Sequence, residues 1–151
     1  MADPRLFHLL HLSHRAVFRA ADRALTKRFG ITAAQQAALM FLAENEGASM
    51  SALANAVSLK PAATSGLVDR MEKNGFLQRR AAPKDGRSFE LYLNPAGRQI
   101  VSDSKSLIEE SNRLLLDGFD AKTRKTISEF LQIITERADA LQDQNKMESK
   151  G

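Results

Sequence analysis

The stretch "RRAAPKDGRSFELYLN", residues 79–94, holds Lys84, Asp85, Gly86 and Arg87 between two runs of two-residue alternation. Cations on a hairpin tip support no core, so their chemistry must be directed outward. Arg suits a narrow minor groove of DNA, where negative potential is focused. The charge of the chain points the same way. Residues 60–98 carry eight Lys/Arg and four Asp/Glu, whereas residues 99–151 carry eight and ten. The excess positive charge is therefore local, which fits an anionic partner for the middle of the chain or a solvated mixed surface.

Three histidines succeed one another in "FHLLHLSH" as His8, His11 and His14. Their spacing of three puts them on one drifting stripe of a helix. Neutral imidazole ligates metals, but the chain has no cysteine and no other histidine, so a closed zinc site would need carboxylates or a second subunit. The alternatives are packing at a subunit interface, or the wall of an effector pocket formed by His11, His14 and Arg15. No metal or cofactor is expected. Nucleophile elbow, Walker loop and HExxH motifs are missing, so the chain is not expected to be an enzyme. No apolar run is long enough to cross a bilayer and no leader-like segment opens the sequence, so no membrane partner and a cytoplasmic location are expected.

The elements that must hold these residues are set by local patterns. Asp3 and Pro4 read as the start of a helix that carries Leu6, Phe7, Leu10, Val17, Ala21 and Leu25, and Gly30 reads as its stop. Thr32 with Gln35 is a capping box for a second helix, whose core stripe reads as Ala37, Ala38, Phe41 and Leu42. Ser49 caps a short third helix over residues 50–57, with Leu53, Ala54 and Val57 inward. Pro61 opens a fourth, whose Thr64, Leu67, Val68 and Met71 share one face, and Gly75 stops it. Two short capped helices joined by a tight turn make a helix-turn-helix.

The period then changes to two, with Phe89, Leu91 and Leu93 on one side of a hairpin and Ser88, Glu90 and Tyr92 on the other. "PKDGR" is read as its turn. A two-stranded hairpin needs a neighbour, and the helix-turn-helix is the obvious one. After Asn94 and Pro95 a long helix repeats Ile100, Val101, Leu107, Ile108, Leu114 and Leu115, with Ser104 and Ser111 in the stripe. Asp120 caps a last helix with Ile127, Phe130, Leu131, Ile134, Ala138 and Leu141 along one side, and the final "QNKMESKG" reads as frayed. The apolar stripes exceed what one chain can hide. Leu6, Phe7, Leu10, Leu114, Leu115, Ile127, Leu131 and Ile134 are therefore expected to pair two copies, with a self-contained helical bundle as the alternative.

The expected fold class is mainly α (α+β): a winged helix-turn-helix with long N- and C-terminal dimerisation helices. The chain is read as a single domain, 1–151, with the winged lobe at about 32–94 and the dimerisation helices at about 3–29 and 95–143. A recognition helix of this kind enters the major groove and the wing reaches the neighbouring backbone or minor groove. The exposed face would be Ala62, Ser65, Gly66, Asp69 and Lys73. Phosphate anchors would be Ser51, Lys60, Arg70, Lys73, Arg79 and Lys84, with Arg70 alternatively paired to Asp69 or a wing carboxylate. Arg79 and Arg80 alternate sides, so at most one would face DNA.

The run "LVDRMEKNGFLQRRAAPKDGRSFELYLNPAGRQI" resembles the signature of MarR-type transcriptional regulators. Asp69, Arg70, Met71 and Glu72 match the end of that family's recognition helix. Asp85 and Arg87 match its wing, and Leu91, Leu93, Asn94 and Gly97 match the family's Leu-x-Leu-Thr-x-x-Gly run after the wing tip. The helical order also resembles the family over nearly the whole chain. The resemblance implies a dimeric regulator, usually a repressor, that binds a pseudo-palindromic double-stranded operator and is often released by an aromatic acid or phenol. It also implies that the wing aspartate orients the wing arginine. Three positions depart from the pattern. Lys60 replaces the usual Ser/Thr cap, Gly66 stands where a bulkier, often basic residue is common, and Asn94 replaces Thr while keeping an N-cap. The rival readings are a winged-helix protein-interaction module and a metal-responsive regulator that uses the helix-1 histidines.

Overall fold

The computed structural model describes residues 3–148, without the side chains of 139 and 141–148. The element order is α1 (Leu6–Phe29), α2 (Ala33–Glu44), β1 (Ala48–Ser49), α3 (Met50–Ala56), α4 (Pro61–Lys73), β2 (Leu77–Ala82), β3 (Asp85–Leu93), α5 (Pro95–Leu115) and α6 (Ala121–Glu148). The fold is mainly helical with a small antiparallel sheet, the winged helix-turn-helix arrangement. The chain forms two compact units, Met1–Ser106 and Leu107–Gly151.

The first unit holds the core. Leu39, Leu42, Leu53, Val68, Met71 and Leu91 are fully buried, and Leu67, Leu77, Leu93 and Ile31 nearly so. The four residues expected on the inner face of α4 are all buried. Burial of each large side chain is worth about 1.5–3 kcal/mol, so this face alone fixes α4 on the lobe. The stripe of α2 needs correction. Ala37 is exposed and Phe41 half-buried, while Gln35, Gln36 and Leu39 are buried. The capping box at Thr32 and Gln35 is present in both directions, at 3.1 and 3.0 Å. Gln36 Nε2 donates across to Ser104 Oγ of α5 at 2.6 Å, a buried bond between residues far apart in sequence.

The start of α1 also differs from expectation. Asp3 and Pro4 precede the helix, Arg5 occupies the cap position, and no side chain caps it. Gly30 ends it with φ 68°, the left-handed conformation expected of a glycine stop. Asp22 near that end accepts the N–H of Ala33 at 2.7 Å, so α1 helps cap α2.

The turn between α3 and α4 closes with Ser58 at φ 54°. Leu59 N–H donates to Ala54 O at 3.0 Å and Ser58 N–H to Asn55 O at 3.3 Å, the bond pair of a Schellman stop. The stop of α4 has the same two bonds, from Phe76 to Met71 and from Gly75 to Glu72, but there the left-handed residue is a glycine. The wing is a three-stranded sheet of order β1-β3-β2 rather than a lone hairpin. Ala48 and Ser49 pair with Leu91 and Glu90. Ser49 therefore both ends a strand and caps α3, where it accepts the N–H of Ala52 at 3.1 Å.

Asn94 does not cap α5 with its side chain. Its Oδ1 accepts from Gln78 at 2.8 Å and its amide donates to Gly75 O at 3.2 Å, which fastens the base of the wing to the end of α4. Gly97 is required by a close approach: a Cβ there would lie 2.2 Å from Phe76 O.

In the second unit Asp120 caps α6 through the N–H of Thr123 at 2.7 Å. The helix runs through residues 144–148, which were expected to fray, while 149–151 and the side chain of Leu141 lie outside the described residues. No described residue from 107 onward is buried. No helix of the described residues is long and apolar enough to cross a membrane.

Candidate nucleic-acid interface

The face of α4 that points away from the core carries Ala62, Asp69, Arg70 and Lys73 in the open, with Ser65 and Gly66 half-exposed. Lys60 occupies the cap position with no side-chain bond to the helix. The orphan N–H groups there favour an anion, and Lys60 adds charge to the same spot. Nη1 of Arg70 lies 3.4 Å from where a Cβ of residue 66 would sit. The bare Gly66 thus lets Arg70 fold back along the exposed face. The cation that a basic residue at 66 would supply arrives from one turn later. Ser51 lies exposed at the start of α3.

Arg79 is not available as a phosphate anchor. Its guanidinium bridges Asp69 at 2.5 Å and Glu72 at 3.2 Å, and its backbone N–H donates to Glu72 at 3.0 Å. The side chain keeps only 18% of its surface. Arg79 is a brace between β2 and α4, and it neutralises two carboxylates on the recognition helix. This leaves Arg70 outside the pairing with Asp69 that the sequence allowed. Glu72 also occupies a donor on the sheet's outer strand, which blunts that edge. On the other face of the sheet the guanidinium carbon of Arg80 lies 4.1 Å from the ring centre of Tyr92. Neither Arg79 nor Arg80 is therefore a free cation.

The tip is shaped by an irregular register. Ala81 pairs with Phe89, but Ala82 pairs with Asp85, so Gly86, Arg87 and Ser88 stand out of the ladder. The turn proper is only Pro83 and Lys84. Asp85 stitches the bulge: its carboxylate accepts from Arg87 N–H at 3.0 Å and from Ser88 Oγ at 2.9 Å. Those two bonds favour the ionised form and hold the Asp85 carboxyl below its ordinary pKa, the Arg87 N–H contributing most. Asp85 thus orients Arg87 through the backbone rather than by gripping its guanidinium. Lys60, Arg70, Lys73, Lys84 and Arg87 make no ion pair among the described residues.

His11, His14 and Arg15 are exposed on α1, where the His14 ring rests on Phe18 at 4.4 Å between centroids. No group of three or more potential metal ligands comes together among the described residues. A cavity of about 220 Å³ lies elsewhere, against Met50, Ala54, Leu59, Pro61 and Thr64 in the helix-turn-helix. Among the dimerisation candidates, Phe7 and Leu114 are 82% and 73% exposed. Leu115 and Leu131 are exposed as well, and Leu6, Leu10, Ile127 and Ile134 are half-buried.

A helix-turn-helix with an exposed recognition face, joined to a cationic wing, is the arrangement of winged-helix DNA-binding modules. A model of the MarR family matches residues 31–89, the stretch from the start of α2 to the wing. The putative transcriptional regulatory protein for the hcr operon of Thauera aromatica is 32% identical over 102 residues, 68% of this chain and 61% of that protein. The homoprotocatechuate degradative operon repressor of Escherichia coli is 28% identical over 111 residues, covering 73% and 74% of the two chains. The crystal structure of the S. aureus MepR-DNA complex superposes with a TM-score of 0.82 at 19% identity, covering 90% of this chain and 99% of that one. The chain belongs to the MarR family of DNA-binding transcriptional regulators.

Proposed function

We propose that the chain is a homodimeric repressor that reads a pseudo-palindromic operator in the cytoplasm and is released by a small aromatic or phenolic effector. The observation that carries the DNA contact is the Asp85-stitched bulge, which presents Arg87 beside an α4 whose Arg70 and Lys73 are unpaired. Ala62 would meet a thymine methyl and Ser65 a base edge, with Gly66 allowing close approach. Lys60, Ser51, Arg70, Lys73 and Lys84 would meet phosphates. Such a face is poor in bidentate base readers, so shape and the minor-groove arginine carry much of the specificity.

Dimerisation is supported by the apolar surface left open on α1, α5 and α6, including Phe7, Leu114 and Leu131. Two recognition helices about 34–36 Å apart would read successive major grooves. An effector that binds one lobe spacing better than the other shifts the population away from the DNA-fitting state. His11, His14 and Arg15 are the residues we assign to its site. The relative named for a homoprotocatechuate operon supports the repressor and phenolic-acid reading.

The test is selection of random duplex DNA by the purified protein, with sedimentation to read its assembly. A palindromic consensus bound by a dimer supports the proposal. Retention of no duplex at low salt refutes it and leaves the wing to a protein partner.

A further inference from the structure

This inference rests on the DNA-binding reading. If α4 lies in a major groove and Arg87 in the adjacent minor groove, the sugar–phosphate strand between those grooves must cross the wing between them. The residue at that crossing is Phe89. Phe89 is 44% exposed, whereas Leu91 and Leu93, further along the same face of β3, are 0% and 3% exposed. The alternation that builds the core has run past the end of the core. The cross-strand partner Ala81 is too short to cover the ring. The guanidinium carbon of Arg79 lies 6.0 Å from the ring centre, and that guanidinium is tied to Asp69 of α4. Phe89 is thus on the recognition-helix side of the wing, between α4 and the bulge that carries Arg87.

We propose that Phe89 is a DNA-contacting residue whose ring packs on a deoxyribose of the strand separating the two grooves. The carbon faces of the sugar are the apolar part of an otherwise charged strand. Along the wing, Lys84 and Arg87 lie on the tip side of Phe89, and Arg70 and Lys73 are exposed on α4, the helix to which Arg79 beside the ring is tied. Phosphates on either side of one sugar would therefore meet cations while the sugar meets carbon. This arrangement fixes how far the wing sinks into the minor groove, and so how closely Arg87 approaches its floor.

The experiment is hydroxyl-radical footprinting, which reads deoxyribose exposure, on an operator taken from the duplex selection. It is paired with affinity measured across salt for wild type, Phe89→Ala, Phe89→Leu and Arg87→Ala. Phe89→Ala is expected to weaken binding about 5- to 20-fold from lost apolar burial. It should leave the salt slope unchanged, because no counterion is involved. Protection of one or two sugars in each half-site should disappear. Phe89→Leu should keep most of the affinity and the protection. Arg87→Ala should instead lower the salt slope by about one. Wild-type affinity and footprint in Phe89→Ala would overturn this inference alone. So would a lower salt slope in Phe89→Ala, because the ring would then act by holding cations. Failure of the wild-type protein to bind any duplex would overturn the DNA reading itself.

Discussion

Replacing Arg79 by Met keeps most of the apolar stem and removes the charge that joins β2 to α4. The guanidinium serves two carboxylates, Asp69 at 2.5 Å and Glu72 at 3.2 Å, whose side chains are 63% and 41% exposed. Pairs this open to water contribute about 0.2–1 kcal/mol each, so the expected loss of stability from the two is about 0.4–2 kcal/mol. The effect on DNA binding has a different origin. Asp69 and Glu72 lie on the recognition helix, and without Arg79 they face phosphates unneutralised. One carboxylate about 7 Å from a phosphate costs about 0.6 kcal/mol in water, before salt screening. Two of them lower affinity by up to about sevenfold at low salt, as each 1.4 kcal/mol is tenfold, and by less as salt screens them. Fluorescence anisotropy with labelled operator and urea unfolding separate the two effects. Adding Asp69→Asn to Arg79→Met should recover at least half of the lost binding energy and little of the stability. If Asp69→Asn gives no rescue of binding in Arg79→Met, Arg79 contacts a phosphate directly and the brace is wrong.

Ser58→Gly should stabilise the protein by about 0.5–1 kcal/mol, because a left-handed φ of 54° in a Schellman stop strains any residue with a Cβ; a lower thermal midpoint would contradict this. Gly97→Ala should cost about 3 kcal/mol or abolish folding, as its Cβ would strike Phe76 O. Wild-type denaturant stability for that variant would refute the close approach. Ser104→Ala should cost about 1–3 kcal/mol by leaving the buried Gln36 amide without its acceptor, and Gln36→Leu in the same chain should return part of it. For Asp85 the folded pKa lies below the ordinary 3.8. Its contribution to wing order is therefore complete above that ordinary value and is lost as pH falls through the depressed one. The Arg87 amide should lose protection relative to its intrinsic exchange rate in that acid window and keep it at pH 6, and Asp85→Asn should remove the transition.

The helices of the lobe were legible because their signals are local. The Thr32–Gln35 box, the Thr64, Leu67, Val68 and Met71 face, and the glycine stops at Gly30 and Gly75 each lie within a turn or two of chain. The errors lie where distant segments meet. Asp3 and Pro4 offered a plausible start for α1, yet the helix opens uncapped after them. Ala37 was placed in the expected stripe of α2 and Leu39 was not, and the direction of the neighbouring elements buries Leu39 instead. Nothing in "GASM" announces a strand. Ala48 and Ser49 become one because β3 is there to pair with them.

The candidate site divides in the same way. The cationic tip, the exposed face of α4 and the order of elements around them were set by residue types and spacing, because period and turn chemistry act over a few residues. The role of each cation was not. Arg70, Arg79 and Arg80 are the same residue type within eleven positions, and the sequence put Arg79 and Arg80 on opposite sides of a strand but did not show which of the three is tied up in pairing. Folding brings β2 against α4 and assigns Arg79 to Asp69 and Glu72, stacks Arg80 on Tyr92 and leaves Arg70 open over Gly66. The sequence by itself determined that this protein carries a helix-turn-helix beside a basic wing. Only the tertiary structure decided which charges remain free and that Phe89 stands uncovered. The physical reason is that ion pairing and burial depend on distances across the fold, which spacing along the chain does not set.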